Sequence, residues 1–291
     1  MSARATTADP SSHASDAVSL RCMEIWGGNE AIDNGVSVPG LDAWVYARPH
    51  AGERAGGDIH YISTCGSGRY SRIAVADVAG HGAGVESLAS ALRTLMRRHI
   101  NTPDLTRFMR SLNEEFGRES QDGRFATAVV ATYHAPTDHL ILCNAGHPRP
   151  LWRDGVTGRW RLLDASCDEK ADRVGNLPLG VIEPTQYEQF AVPLRLRDTV
   201  ILYTDALSEA RAADGAMLGE KGLLGIAAGI DAESPHGAAA ELVEKVEAWQ
   251  GAPLDDDITV VALRHNGADP ERQGFREAFA VAAKILGLSR V

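Results

Sequence analysis

Cysteine is scarce in this chain of 291 residues: Cys22, Cys65, Cys143 and Cys167 are the whole complement. They are too few and too scattered for a disulfide framework, no CxxC pair suggests zinc, and each falls in or beside an apolar run or in a turn, as packing residues do. No stretch reaches the roughly 18 uninterrupted apolar residues that a membrane-spanning helix needs. The opening MSARATTADPSSHASDAV has no apolar centre of the kind a secretory signal requires. Positive charge is also in deficit. Lys and Arg number 29 against 39 Asp and Glu, a formal net charge of −10 with a pI near 5.5, so a nucleic acid would be repelled rather than steered in. What is present, 44% hydrophobic and 23% charged residues, is the composition of a globular chain with ample length for a core. The expectation is a cytoplasmic protein with no membrane span and no nucleic-acid partner, whose acidic excess needs an explanation of its own.

Residues 1 to about 20 are rich in Ser, Ala, Thr and Asp without periodicity and read as a disordered lead-in. Glycine and proline punctuate WGGNEAIDNGVSVPGLD, which reads as loop, so residues 1–40 are expected to be irregular. From Ala43 short apolar runs separated by turn signals predict strands at Ala43–Arg48, Asp58–Thr64 and Ser71–Val78, the last two joined by a CGSG hairpin turn. Val85, Leu88, Leu92, Leu95 and Met96 recur at threes and fours and predict a helix over Gly84–Ile100. Thr102-Pro103-Asp104 stops it and starts another over Leu105–Glu119.

Strands are expected at Ala126–His134, His139–Asn144, Pro150–Arg153, Trp160–Leu163, near Gly180–Ile182, and at Gln186–Leu194, Thr199–Tyr203 and Ile258–Arg264. Helices are expected at Gly222–Ile230 and Ser234–Trp249. Strand runs interleaved with helix pairs, without long βαβ alternation, predict one α+β domain over residues 41–266, with helices covering antiparallel sheets. Residues 267–291 follow as an amphipathic C-terminal helix.

The carboxylates are unevenly placed. Asp58 follows Gly56-Gly57, Asp77 ends the apolar run IAVAD, Asp205 ends VILYTD, and Asp255, Asp256 and Asp257 open the last strand. Any one of these reads as a turn residue, and DDD before a strand also reads as a solvated, edge-protecting cluster. Four clustered carboxylates would repel one another unless a cation sat among them, and hard oxygen ligands select Mg²⁺ or Mn²⁺ over zinc or copper. Spacing alone leaves both readings open.

The motifs AGGD (Ala55–Asp58), ADVAGHG (Ala76–Gly82), FATAVVATY (Phe125–Tyr133), NAGHPRP (Asn144–Pro150), LPLG (Leu177–Gly180), LYTDALSEAR (Leu202–Arg211) and DDDITVV (Asp255–Val261) occur in one order. In that order they resemble the metal-dependent PPM-type (protein phosphatase 2C-like) serine/threonine phosphatases. The likeness is to the bacterial branch typified by stage II sporulation protein E and by phosphatases that regulate stress sigma factors. The resemblance runs from about Ala43 to Arg264. It implies a central antiparallel β-sandwich flanked by helices, with a dinuclear Mn²⁺ or Mg²⁺ centre at one end. Asp58, Asp77, the Val78 carbonyl, Asp205 and Asp256 would be metal ligands. The implied reaction is attack by a metal-bridging water on phosphoserine or phosphothreonine. Asp256 is preferred to Asp255 and Asp257 because the family pattern sets an Asp, then Asp or Asn, before the apolar-Thr start of the strand.

There are departures from the pattern. Tyr61 stands where the branch usually has a second Asp. Arg54, four residues before Asp58, is the candidate phosphate-binding residue, with Arg48 and His50 behind it; a solvated surface arginine is the competing reading of Arg54. His81 is a candidate general acid or a loop residue, and His147 reads as part of a hydrogen-bonded turn. The implied partner is a phosphoprotein substrate, a STAS-domain anti-sigma-factor antagonist in partner-switching signalling. The alternative is a catalytically silent pseudophosphatase acting as a metal-binding interaction module. About 40 residues precede the core, too few for a sensor domain, and the C-terminal helix could dock on the core or on a second subunit in a homodimer.

Overall fold

The computed structural model describes residues 18–19, 24–65, 68–80, 83–120, 123–164 and 176–269. The lead-in up to residue 17, Cys22, His81, Cys167 and the expected C-terminal helix over 270–291 lie outside the described residues. In chain order the strands are β1 (Val18–Ser19), β2 (Glu24–Glu30), β3 (Ile32–Val38), β4 (Leu41–Arg48), β5 (Ala55–Cys65), β6 (Tyr70–Val78), β7 (Ala126–His134), β8 (His139–Ala145), β9 (Leu151–Arg153), β10 (Trp160–Leu162), β11 (Gln189–Pro193), β12 (Thr199–Tyr203) and β13 (Ile258–His265). The helices are α1 (Ala83–His99) and α2 (Leu105–Glu119) between β6 and β7, and α3 (Gly219–Ala227) and α4 (Pro235–Gln250) between β12 and β13. Asp104 caps α2, accepting hydrogen bonds from the Thr106 and Arg107 amides, the role its Thr-Pro-Asp setting predicts.

One sheet has the order β1-β3-β4-β13-β12-β9-β10 and the other β11-β8-β7-β6-β5-β2. All pairings are antiparallel except that of the two-residue β1 with β3. Successive side chains of a strand face opposite sides, and here both sides are covered. β6 sends Ile73 and Val75 between the sheets and Ala74, Ala76 and Val78 toward α1 and α2. β13 sends Val261 and Leu263 between the sheets and Ile258, Val260 and Ala262 toward α3 and α4. That is why these strands read as unbroken apolar runs. The architecture is α+β, a helix–sheet–sheet–helix sandwich with one apolar core between the sheets and one under each helix pair. Cys143 packs in the core beneath α1 and α2, and burial pushes its thiol up to about 12.

The structure departs from the sequence expectation in two places. WGGNEAIDNGVSVPGLD is not loop: β2 and β3 extend the two sheets. Its glycines answer to neighbours instead of turns. A Cβ on Gly27 would fall 2.7 Å from Tyr61 Cδ2, and one on Gly35 2.2 Å from Trp44 Cε3, so each makes room for an aromatic ring on the adjoining strand. The strand expected near Gly180–Ile182 is a single bridge, Leu179 to Ala126, followed by a turn at Gly180 (φ 84°).

The sheets are also tied by side chains at the end away from the aspartates. Asp138, between β7 and β8, accepts from Tyr133 Oη at 2.7 Å and lies 2.9 Å from Nε2 of His265 on β13. Tyr133→Phe removes one of these bonds from a fully buried ring, a loss of about 1 kcal/mol. The thermal midpoint should fall by roughly 2–4 °C, measured by circular dichroism melts against wild type, with the folded spectrum unchanged.

Candidate active site

The alternation that builds the inter-sheet core ends, on five strands, in polar residues at one end of the sandwich. After Ile73 and Val75, β6 presents Asp77. After Ile62, β5 presents His60 and Asp58. Beyond Val200 and Leu202 of β12 comes Thr204, beyond Val261 of β13 come Thr259 and Asp257, and β7 ends with Thr127 below Val129. Asp58 and Asp77 are direct partners across the β5–β6 pair, and Asp77 is likewise opposite Thr127. Two carboxylates that share a cross-strand position repel each other. A low-dielectric setting strengthens that repulsion.

The electrostatics follow. Burial, then the Asp77 charge, raises the Asp58 carboxyl well above the usual range, with the Thr204 hydroxyl opposing the shift. Asp77 is pushed up to about 7 by burial, then by Asp205 and Asp256. Asp205, which opens a short 3-10 turn after β12, is raised to about 6 by burial, then by Glu209 and Asp256. Asp256 is raised by partial burial, with Asp257 and Glu209 adding to it and the Asp257 amide opposing. The four form a chain of neighbours: Asp58 senses Asp77, Asp77 senses Asp205 and Asp256, and Asp205 senses Asp256.

Hydrogen bonds hold two of the acids. Thr204 Oγ1 donates to Asp58 Oδ2 at 2.7 Å and accepts from the Thr259 amide at 2.9 Å, so β12 and β13 of one sheet brace β5 of the other. Asp257 accepts from the His50 amide through Oδ1 and from the Gly57 amide through Oδ2, both at 2.7 Å. Its carboxylate is thus committed to backbone. Asp255, with a side chain 96% exposed, faces His50 Nδ1 at 3.6 Å. Among the described residues Asp256 accepts only from the Asp257 amide, at 2.8 Å. The glycine pair is explained by the same contacts: a Cβ on Gly56 would strike Asp257 Oδ1 at 2.3 Å, and one on Gly57 would lie 2.8 Å from Val85 and 3.1 Å from the Val78 carbonyl oxygen. Asn29 of β2 holds the Gly56 carbonyl through Nδ2 at 3.0 Å.

A cleft of about 530 Å³ opens here, lined by His50, Glu53, Gly57, Val85, Glu86 and Asp256, among others. Arg54 does not line it. Its side chain is 90% exposed and its Nε lies 3.5 Å from Glu30, which is the surface placement and not the phosphate-binding one. Arg48 is engaged with Glu247 on α4. Tyr61 is buried among α1-facing residues: an odd number of positions after Asp58, it points to the other face of β5 and cannot substitute for an acid at the cleft. His147 is a turn residue. Its Nδ1 lies 2.8 Å from Thr127 Oγ1, its amide donates to Asn144 Oδ1, and burial pushes the ring down to about 3.

Sequence reasoning missed Thr204, Thr259, Asn29 and Glu209. The first two stand directly in YTD and DIT, and Glu209 lies four residues after Asp205, so their signal was adjacency to an acid already singled out. Among the described residues no three His, Cys, Asp or Glu side chains converge closely enough to hold a metal ion in the rotamers seen. The donor set nonetheless suits hard divalent cations: carboxylate oxygens that raise one another's pKa at one end of the sandwich.

The chain belongs to the stage II sporulation protein E (SpoIIE) family, whose model matches residues 67–266. Asp77, Asp205 and Asp256 lie within the match and Asp58 just before it. The chain is 25% identical to the RsbU and RsbW domains of a Mycobacterium tuberculosis protein, with a TM-score of 0.66, covering 80% of this chain and 63% of that one. It is 16% identical to the PP2C phosphatase domain with a regulatory fragment of SpoIIE from Bacillus subtilis, with a TM-score of 0.64, covering 85% and 63%. The catalytic domain of the serine/threonine phosphatase PstP, solved with two manganese ions, is 15% identical with a TM-score of 0.55, covering 78% and 99%. The chain thus spans a little under two thirds of the first two. The fold is that of PP2C-type phosphatase domains, and solved structures of that fold include ones with magnesium or manganese ions. No described helix is long and apolar enough to cross a membrane.

If Thr204 braces Asp58, Thr204→Val should cost roughly 1–3 kcal/mol by leaving a buried carboxylate without its donor, while Thr204→Ser should stay close to wild type. Urea unfolding in the presence of a chelator at pH 8 measures both.

Proposed function

We propose that this chain is a Mn²⁺- or Mg²⁺-dependent protein serine/threonine phosphatase, and that Asp58, Asp77, the Val78 carbonyl, Asp205 and Asp256 hold two metal ions. One observation carries the reading: Asp58 and Asp77 face each other across β5 and β6 while the charges of Asp205 and Asp256 reach Asp77 from the other sheet. A protein has little reason to gather four repelling carboxylates at one end of a sandwich without a cation to answer them. The two manganese ions described for PstP, a protein of the same fold, support the count. When bound, the ions would supply the positive charge that offsets the phosphoryl group and the acidity that activates water.

The chain's own residues do the positioning. Thr204 favours the ionised form of Asp58 and fixes its rotamer; Asp257 pins the Gly57 amide and the turn at His50, and so keeps the cleft wall in register. Gly57 carries no Cβ to crowd the Val78 carbonyl oxygen, which such an atom would approach to 3.1 Å. Asp256, and not Asp257, takes the ligand role because the Asp257 oxygens are already used. His50 is the one basic side chain among the described residues that line the cleft, well placed to face the substrate's phosphoryl oxygens. The substrate we infer is a phosphoserine or phosphothreonine of a STAS-domain anti-sigma-factor antagonist, in the cytoplasm. That inference rests on the family and on the likeness to an RsbU–RsbW chain.

Purified protein should hydrolyse p-nitrophenyl phosphate with Mn²⁺ and not with a chelator, and Asp77→Asn and Asp205→Asn should each lose at least about a hundredfold in kcat. A wild type without metal-dependent turnover, or two variants as active as wild type, would sink the assignment; stabilisation by Mn²⁺ without turnover would instead mark a metal-binding interaction module. A stability measurement carries the opposite sign. Because the fold raises the Asp77 pKa, the charged form is disfavoured above pH 7, so in chelator at pH 8 Asp77→Asn should raise the thermal midpoint by about 3 °C or more while abolishing the upward shift that Mn²⁺ gives wild type.

A further inference from the structure

The cleft walls outside the proposed ligands are themselves anionic, with Glu53, Glu86 and Asp255, which is a poor reception for a phosphoprotein. The arginine expected to offset this, Arg54, is turned out to solvent. Another arginine is better placed. Arg124 precedes β7 by two residues, and the carbonyl of its neighbour Phe125 accepts the Ala79 amide at 2.9 Å, which ties this segment to the loop leaving Asp77. The Arg124 guanidinium packs over Gly84 in the first turn of α1: a Cβ on Gly84 would lie 2.6 Å from Nη1 and 3.3 Å from Nη2. The next two residues of that turn, Val85 and Glu86, line the cleft. Arg124 is half-buried, and among the described residues its five N–H donors meet no hydrogen-bond acceptor or carboxylate. A partly desolvated guanidinium held in place by packing, with its donors unused, is poised for an oxyanion that arrives from outside.

We infer that Arg124 is a substrate-positioning residue that binds an anionic group of the phosphoprotein at the α1 rim of the cleft, and that Gly84 is glycine to let it lie there. The inference rests on the phosphatase reading above and adds to it the cation that the carboxylate-lined cleft lacks. The anion is either the scissile phosphoryl group or a carboxylate flanking it. Both present paired oxygens to a planar guanidinium, and the test separates them.

Arg124→Ala, Arg124→Lys and Gly84→Ala would be compared with wild type, all with saturating Mn²⁺. The substrates are p-nitrophenyl phosphate and two phosphoserine peptides, one with acidic and one with neutral flanks; orthophosphate binding is followed by calorimetry. Arg124→Ala should raise KM about tenfold or more with kcat little changed. Lysine should recover part of the loss. Gly84→Ala should shift KM in the same direction while leaving the thermal midpoint at or above wild type, since alanine favours the helix. A rise on every substrate, with weakened orthophosphate binding, assigns the scissile phosphoryl; a rise confined to the acidic peptide assigns a flanking carboxylate. Unchanged KM and unchanged orthophosphate binding in both Arg124→Ala and Gly84→Ala overturn the inference. So does a loss confined to kcat that tracks a lower thermal midpoint and is not relieved by lysine. A wild type that binds orthophosphate through Arg124 but turns nothing over refutes the phosphatase reading alone, and one that neither binds nor turns over refutes both.

Discussion

The hydrogen bond from Thr204 to Asp58 is the contact on which the acidic end of this molecule depends. It joins strands of different sheets, and it does so where the inter-sheet layer changes from apolar to charged. Without it Asp58 would face Asp77 across the strand pair with only the smaller contribution of Thr259 to favour its ionised form. Its geometry is set by the register of the whole sandwich. Thr204 is also locked to β13 through the Thr259 amide, so a slip of β12 by one residue would turn Thr204 away and bring Tyr203 into the layer. The Asp138 clasp at the far end fixes the other side of that register. Two short polar ties therefore hold a large apolar layer in the one alignment that brings acids from both sheets together.

This dependence explains which parts of the protein were legible beforehand. The strands and helices from Ala43 onward could be read because each buries one or two apolar faces at periods of two or 3.6; Asp77 and Asp205 stood out because they end apolar runs, while Asp58 and Asp256 were singled out as ligands through the family resemblance. β2 and β3 could not. Gly27 and Gly35 look like turn signals in sequence, and only the rings of Tyr61 and Trp44 on adjoining strands show that they are strand positions with no space for a side chain. Which of Asp255, Asp256 and Asp257 faces the cleft unspent was likewise out of reach, because it depends on amides contributed by Gly57 and His50, about two hundred residues away. Tyr61 was within reach: counting by two from Asp58 places it on the helix-facing side.

The placement of the acids also explains how the fold tolerates them. Charge repulsion is confined to the ends of strands whose middles are packed on both faces, so it loads the side-chain rotamers and the short loops after Asp77 and Tyr203, not the core. Those loops are short and tied back: the Ala79 amide to Phe125, the Thr204 amide to Thr259, the Glu209 amide to Asp205. Repulsion stored against such bracing is what a divalent cation can release on binding, which couples metal affinity to the stiffness of the sandwich instead of to any single ligand.

The same reasoning bears on the charge balance of the chain. A net charge of −10 would merely aid solubility if it were spread over the surface. Here part of it converges on one end of the sandwich, where Glu53, Glu86, Asp255 and Asp256 line a cleft beside Asp58, Asp77 and Asp205. On the proposed reading, an end this acidic would take up cations first and admit a phosphorylated partner only after they are bound. Cation and substrate are then linked: each ion that enters strengthens the pull on the phosphoryl group, and a bound phosphoryl group strengthens the hold on the ions. His50 and Arg124, as proposed, would tune the second step without taking part in the first.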